Sequence, residues 1–234
     1  MKMTGFTLAE VLITLGIIGI IAAMVIPQIF GKISTIKNTA ILRQDYAILS
    51  HAMKMALDQG KLTTFQGNAN DMKVMRAWFD DAILPNIKAV TTCYDEPGCW
   101  AGTEKTLSGE KGDTAGSNRG CGQKTITFIL PNGSAVCIDD FYGDTLWERF
   151  GIKTGSMDEQ APNVVFYIDV NNTDPPNVYG RDIFILVYNP EDDSLVTAGA
   201  DKSTDDINLD CSWQGTGRYC ATYAKRNGWR LPSF

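Results

Sequence analysis

The most constraining feature of the sequence is an apolar run over residues 6–30, FTLAEVLITLGIIGIIAAMVIPQIF, in which Glu10 is the only ionisable side chain. About 20 apolar residues are enough for a helix to cross the hydrocarbon core of a bilayer, which is roughly 30 Å thick. An acid at helix depth in lipid is costly, so it is expected to have a partner and a function. The run therefore predicts a membrane-spanning helix with one functional acid.

The residues before the run are a short basic leader, MKMTG, and Glu10 is the fifth residue after Gly5. This leader, followed by Phe-Thr-Leu-x-Glu and a long apolar segment, resembles the N-terminus of the type IV pilin family. The resemblance implies that a prepilin peptidase cuts between Gly5 and Phe6 and N-methylates the new Phe6 amine. It further implies that Glu10 pairs with the N-terminal amine of a neighbouring subunit in a fibre. Pro27 stands where pilins commonly have a proline, which would bend or locally melt the helix.

Two simpler interpretations of the same segment are possible. A secretory signal peptide also has a basic start, an apolar core and a small-residue cleavage site, and Ala22-Ala23 could be that site. A plain single-pass anchor with an accidental glutamate is the other. An acid next to the basic start is unhelpful to a signal peptide, so Glu10 favours the pilin-like leader.

After Pro27 the pattern changes from uniformly apolar to amphipathic, with Ile33, Ile41 and Ile48 among the apolar residues that recur at helical spacing. Gly60 is a plausible helix end. A helix from residue 6 to residue 59 would be roughly 80 Å long at 1.5 Å per residue. We therefore divide the chain into a leader (1–5), a transmembrane and assembly helix (6–30), its amphipathic continuation (31–60) and a globular head (61–234).

The head is predicted to be α+β, with the second half of the long helix packed on an antiparallel sheet. A helix is expected to begin at Asn70 or Asp71 and to extend to about residue 83, and a short helix over 218–227. Residues 91–123 are glycine-rich and without period, which predicts a long loop. Alternating or apolar runs predict strands at 124–130, 134–138, 164–170, 182–188 and 194–198.

All six cysteines follow the membrane segment, where the leader would place them outside the cytoplasm, so disulfides are the natural interpretation. Six cysteines allow 15 pairings, and sequence alone leaves the choice open. A metal site is less favoured because there is no Cys-x-x-Cys pair. Proximity in the sequence favours Cys93–Cys99, Cys121–Cys137 and Cys211–Cys220.

Several function classes have little support in the composition. The formal charge of −6 and the lack of a basic run give no sign of nucleic-acid binding. The only histidine, His51, lies on the long helix, so no Ser/His/Asp set is available and we expect no enzyme. The pair Asp139-Asp140 is expected to lie on a solvated turn.

Oxygen-bearing side chains are concentrated between residues 169 and 182. Asp169, Asn171, Asp174 and Asp182 could hold calcium, which takes six to eight oxygen ligands. The spacing is not that of an EF-hand, and some extracellular members of the resembled family have calcium-stabilised loops. The alternative is that these side chains only form Asx turns between two strands.

These features together predict a structural subunit of a type IV pilus or of a type II secretion pseudopilus. Its partners would be identical or related pilin subunits, prepilin peptidase, membrane lipid and the assembly platform in the inner membrane. Before assembly it would be a single-pass inner-membrane protein with its head in the periplasm or outside the cell. The alternatives are an anchored calcium-binding or adhesive module outside any fibre, and a hydrolase head on a membrane stalk.

Overall fold

A computed structural model of the chain describes residues 7–61, 72–113, 116, 119–122, 125–153, 162–189 and 193–232. The chain separates into two compact units, Met1–Lys37 and Asn38–Phe234. Helix α1 (Leu8–Asp58) begins in the first unit and ends in the second. Its bounds agree with the long helix expected from the sequence.

In its described residues, the second unit consists of the end of α1, a six-stranded antiparallel sheet and four short α-helices. The strands are hydrogen-bonded in their sequence order, and every neighbouring pair is antiparallel, which confirms the antiparallel sheet. The further elements in chain order are α2 (Met72–Trp78), a π-helical turn (Phe79–Ile83), a 3-10 turn (Leu84–Asn86), β1 (Thr91–Tyr94), β2 (Ile126–Ile129), β3 (Ala135–Tyr142), α3 (Gly143–Phe150), β4 (Pro162–Asp169), β5 (Ile183–Asn189), β6 (Ser194–Thr197), α4 (Thr204–Asp210) and α5 (Cys220–Arg226).

The sheet is buried on both faces, and the alternation of side chains along its strands shows why. On β4, Phe166 belongs to one core and Tyr167 to the other. The first core contains buried residues of α1, α2 and the π-helical turn. The second core contains α3 residues such as Leu146 and Phe150. Burial on both sides explains why β4 and β5 are apolar at nearly every position.

The second-unit part of α1 packs on the first core through five side chains that are essentially inaccessible to solvent: Leu42, Leu49, Ala52, Met53 and Ala56. They recur at helical spacing and so form one face of the helix. The prediction that the second half of the long helix packs on the sheet is confirmed.

Three short elements and one acidic pair differ from the sequence-based expectations. β1 lies inside the stretch predicted to be a loop, and α3 and α4 were not predicted. Asp139 and Asp140 lie within β3 rather than on a solvated turn. Burial raises the pKa of Asp139 to about 7. Elements of four to eight residues are stabilised mainly by tertiary packing, so local sequence gives little sign of them.

Three disulfides connect the six cysteines, and each cysteine bonds to the next one along the chain. The pairs are Cys93–Cys99, Cys121–Cys137 and Cys211–Cys220. This is the pairing that sequence proximity favours. The first pair attaches β1 to the turn after it, and the third joins the end of α4 to the start of α5.

Candidate functional site: the N-terminal part of α1

The first-unit part of α1 presents apolar side chains on all sides. Among the described residues, α1 is the only helix long and apolar enough to cross a membrane, and none of its most apolar window is buried within the chain. A helix that is apolar all round normally lies in lipid or in a protein interior. The large exposed apolar side chains in this part are Leu8, Val11, Leu12, Ile13, Leu15, Ile17, Ile18, Ile20, Ile21, Met24, Val25, Ile26, Ile29, Ile33 and Ile36.

The single acid of this part is joined to the residue that begins the helix. The Thr7 backbone N–H donates to Glu10 Oε2 at 2.8 Å, and the Thr7 hydroxyl donates to the same oxygen at 2.7 Å. The Glu10 N–H lies 3.3 Å from Thr7 Oγ1 and donates to it. These reciprocal bonds form a capping box, in which two N–H groups that the helix cannot satisfy gain side-chain partners.

The capping box has a chemical consequence for the carboxylate. Both bonds from Thr7 end on Oε2 of Glu10, so Oε1 can accept a hydrogen bond from a further donor. The carboxylate also lies at the positive end of the helix dipole, where negative charge is stabilised. Glu10 therefore has local support within its own chain and the capacity to bind a cationic group.

The other residues of this segment give less geometric information. An added Cβ at Gly16 or Gly19 would meet nothing within 4 Å, so the helix surface is open there. α1 is helical throughout, including position 27, so the backbone is not melted at Pro27, where a bend or local melting was expected. Gly5 and Phe6, the predicted processing residues, lie outside the described residues.

The second-unit part of α1 has an acid of its own, Asp45, which is fully buried. Its Oδ1 accepts a hydrogen bond of 2.6 Å from Nδ2 of Asn132 in the β2–β3 turn. Burial raises the pKa of Asp45 to about 6, against the opposing effect of its bonds to Asn132 and Ser134. Asn38 and Tyr46 also reach the head, donating to the carbonyl oxygens of Arg181 at 2.9 Å and Leu195 at 3.0 Å.

The four calcium candidates lie in the connection between β4 and β5, where they form a hydrogen-bonded turn. Asp182 accepts from the N–H groups of Asn177 at 2.9 Å and Val178 at 2.5 Å. Asp169 accepts from the Asn171 N–H at 3.2 Å. The Asn171 amide donates 2.8 Å to the backbone oxygen of Asp174, whose own side chain is exposed.

Two carboxylates of this turn are buried and close together, which raises their pKa values. Burial, and then the charge of Asp182, raise the pKa of Asp169 to about 9. Burial raises the pKa of Asp182 to about 6. In the described part of the chain, no group of three or more His, Cys, Asp or Glu side chains is placed to hold a metal ion. The hydrogen bonds of this turn are those of Asx turns, and calcium binding there stays a prediction.

Sequence reasoning missed Thr7 as the partner of Glu10. The signal was available, because Thr7-Leu8-Ala9-Glu10 has the Ser/Thr-x-x-Glu spacing of a capping box. It also missed Asp45, whose burial depends on the distant β2–β3 turn.

Comparison with known families, curated proteins and solved structures adds no relative to this picture: no family model, curated protein or solved structure matches the chain significantly.

Proposed function

We propose that the protein is a structural subunit of a type IV pilus or a type II secretion pseudopilus, which polymerises through the first-unit part of α1. The observation that carries this proposal is the fully exposed apolar helix whose one acid, Glu10, is held at its start by Thr7. An ordinary membrane anchor does not need an acid there, and an acid in lipid is retained mainly for function.

The proposal gives the segment two successive environments. Before assembly the apolar side chains are solvated by membrane lipid, and the capping box satisfies part of the hydrogen-bonding capacity of Glu10. After assembly the same side chains pack against neighbouring copies, and the N-terminal amine of another subunit donates a hydrogen bond to Oε1 of Glu10. A carboxylate and an amine that are each costly in an apolar medium stabilise one another when paired with good geometry. The pair would then set the register of neighbouring subunits.

The head serves this function as a rigid, exported domain rather than as a catalyst. Its three disulfides and its sheet, buried on both faces, are suited to a place outside the reducing cytoplasm. The proposed location is therefore the inner membrane before assembly, with the head in the periplasm or outside the cell. Prepilin peptidase and an inner-membrane assembly platform are the proposed processing and assembly partners.

The N-terminal mass of the mature protein is the sharpest single test. The chain is expressed in a bacterium that has a prepilin peptidase, and the purified product is analysed by intact-mass and N-terminal peptide mass spectrometry. We expect a chain that begins with N-methylated Phe6. A product that begins near Met24, as after signal-peptide cleavage, or one that retains Met1, would contradict the proposal.

A matched pair of variants tests whether prepilin peptidase recognises the leader at Gly5. Replacement of Gly5 by a bulky residue should block cleavage, whereas replacement of Thr4, one position earlier in the leader, should leave the Phe6 start intact. If both variants are processed normally, the leader is not the recognition element.

A further inference from the structure

Two lysine side chains of the head lie around one indole ring. The Lys202 Nζ lies 3.4 Å from the centroid of the Trp147 ring, and the Lys153 Nζ lies 5.8 Å from the same centroid. Arg226 adds a third positive charge, because its Nη2 donates to the backbone oxygens of Ala200 at 2.9 Å and Lys202 at 3.4 Å. We call Lys153, Lys202, Arg226 and Trp147 the basic patch.

The backbone around the basic patch is fixed by hydrogen bonds to the end of α3. Gly199 donates to the Phe150 oxygen at 2.6 Å, and Asp201 donates to the Gly151 oxygen at 3.3 Å. A Cβ at Gly151 would lie 2.6 Å from Lys202 Cγ, so the lysine stem lies directly on this glycine. The Lys202 stem and the backbone around the patch are therefore held in place before any ligand arrives, which lowers the entropic cost of binding.

The positive charges of the basic patch are not neutralised within the described residues. The ion pairs there use other cations, namely Lys54, Lys61, Arg76 and Arg218. The nearest bonded acid, Asp201, uses Oδ2 to accept from the Lys153 backbone N–H at 2.7 Å, so that bond joins it to the main chain rather than to an ammonium group. Like charges held together on a protein of net charge −6 favour an anionic partner.

We propose that the basic patch binds an acidic polysaccharide, a sugar polymer that carries sulfate, phosphate or carboxylate groups. The basic patch has a single aromatic ring, one face of which Lys202 covers, whereas single-stranded nucleic acids stack successive bases on several aromatic side chains. Trp147 nevertheless remains 39% exposed. Its uncovered part offers an apolar surface to the C–H groups of a sugar ring, while the lysines bind the acidic substituents.

The test uses the full chain in detergent micelles, with sulfated dextran of defined length as the probe. Binding is measured by titration calorimetry at low and physiological salt, with neutral dextran and a single-stranded oligonucleotide of equal charge as comparison ligands. The variant is Lys153→Gln/Lys202→Gln. The matched control is Lys88→Gln/Lys105→Gln, which removes the same charge from two exposed positions elsewhere on the head.

We expect sulfated dextran to bind and neutral dextran not to bind. The patch variant should bind about tenfold more weakly, the loss of one strong charged contact, and its salt dependence should be shallower; the control variant should bind as the wild type does. Equal melting temperatures of the two variants would show that the lost binding is not unfolding.

Four results would overturn the proposal. They are no binding of sulfated dextran at low salt, an equal loss in both variants, tighter binding of the oligonucleotide than of the dextran, and a change in sedimentation of the patch variant without ligand. The last result would assign the patch to contacts between copies of the chain. Pilus incorporation is a separate measurement, so neither outcome depends on the proposed function.

Discussion

The two parts of α1 are one continuous helix, yet the acid in each part has a different kind of hydrogen-bond partner. In the first unit Glu10 lies among exposed apolar side chains and is bonded to Thr7, three residues away. In the second unit Asp45 is fully buried and bonded to Asn132, which is 87 residues away in sequence. Glu10 is hydrogen-bonded within its own helix turn and can bind a group of another molecule. Asp45 already has its hydrogen-bond partner in the head. The hydrogen-bond partner of each acid therefore indicates its role better than its position in the same helix does.

The strongest test of this comparison is replacement of Glu10. If its charge serves assembly, both Glu10→Ala and Glu10→Gln should remove most of the chain from the sheared fibre fraction, measured by immunoblot. Glu10→Gln is the informative variant because glutamine can keep a capping box while the charge is lost. The control is Asp58→Asn, at the other end of α1, where an exposed i,i+4 pair with Lys54 contributes little. Normal fibres from Glu10→Gln would show that the charge is not needed.

Truncation of leucines should separate the two parts of α1 by stability. Leu49 is fully buried against the sheet, and Leu15 is 60% exposed. We expect Leu49→Ala to lower the free energy of unfolding of the head by about 3 kcal/mol, since core Leu-to-Ala changes cost about 2–5 kcal/mol. Leu15→Ala should leave it within about 0.5 kcal/mol. Urea unfolding in detergent, followed by near-UV circular dichroism, measures both, and similar losses would contradict the division.

The pH dependence of the free energy of unfolding of the head should show the contribution of Asp45. The folded pKa of Asp45 is raised from 3.8 to about 6, so the folded state binds the proton more tightly than the unfolded state. Its contribution is complete below pH 4 and is lost as the pH rises through 6. A shift of about two units corresponds to at most about 3 kcal/mol.

Asp45→Asn should remove this part of the pH dependence while keeping an oxygen that can accept from Asn132. Its free energy of unfolding should therefore fall less than that of the wild type between pH 4 and pH 7. The comparison with Asp58→Asn controls for the general effect of charge. Parallel curves for wild type and Asp45→Asn would mean that Asp45 does not titrate in this range.

The smallest expected effect concerns the local support of Glu10. Loss of an N-cap costs about 1 kcal/mol, so Thr7→Ala should speed amide hydrogen exchange about fivefold in micelles at Glu10 and Val11, whose N–H groups donate to Thr7. Thr14→Ala is the control, because the Thr14 hydroxyl donates to the backbone oxygens of Glu10 and Val11 at 2.9 Å and caps no N–H. Unchanged exchange in Thr7→Ala would show that the capping box does not order the helix start.

The features that sequence predicted well have strong local signals. α1 has a long apolar run and then a helical period, and Pro131-Asn132-Gly133 marks the turn between β2 and β3. The disulfide pairs are the nearest possible ones. β1, by contrast, is four residues long and becomes a strand only because β2 pairs with it.

At the candidate site, too, the residues with a strong local signal in the sequence were predictable and the others were not. Glu10 stands out in the sequence because it is the only charge in an apolar run. Asp45 does not, because acids are common on amphipathic helices and only the folded position of Asn132 makes this one buried. Asp139 was misassigned for a similar reason, since β3 continues four residues beyond its predicted end and takes this acid into the sheet.

The order of the cysteines has a consequence for how the head could mature. The bonded pairs are separated by only 6, 16 and 9 residues, and no bonded pair encloses another cysteine. If the chain crosses a membrane from its N-terminus onward, an oxidant that joins each cysteine to the next one to emerge produces the native set directly. Reshuffling of disulfides takes seconds to hours, and this arrangement makes such correction unnecessary. A cell without a disulfide isomerase should therefore still produce the correctly bonded head.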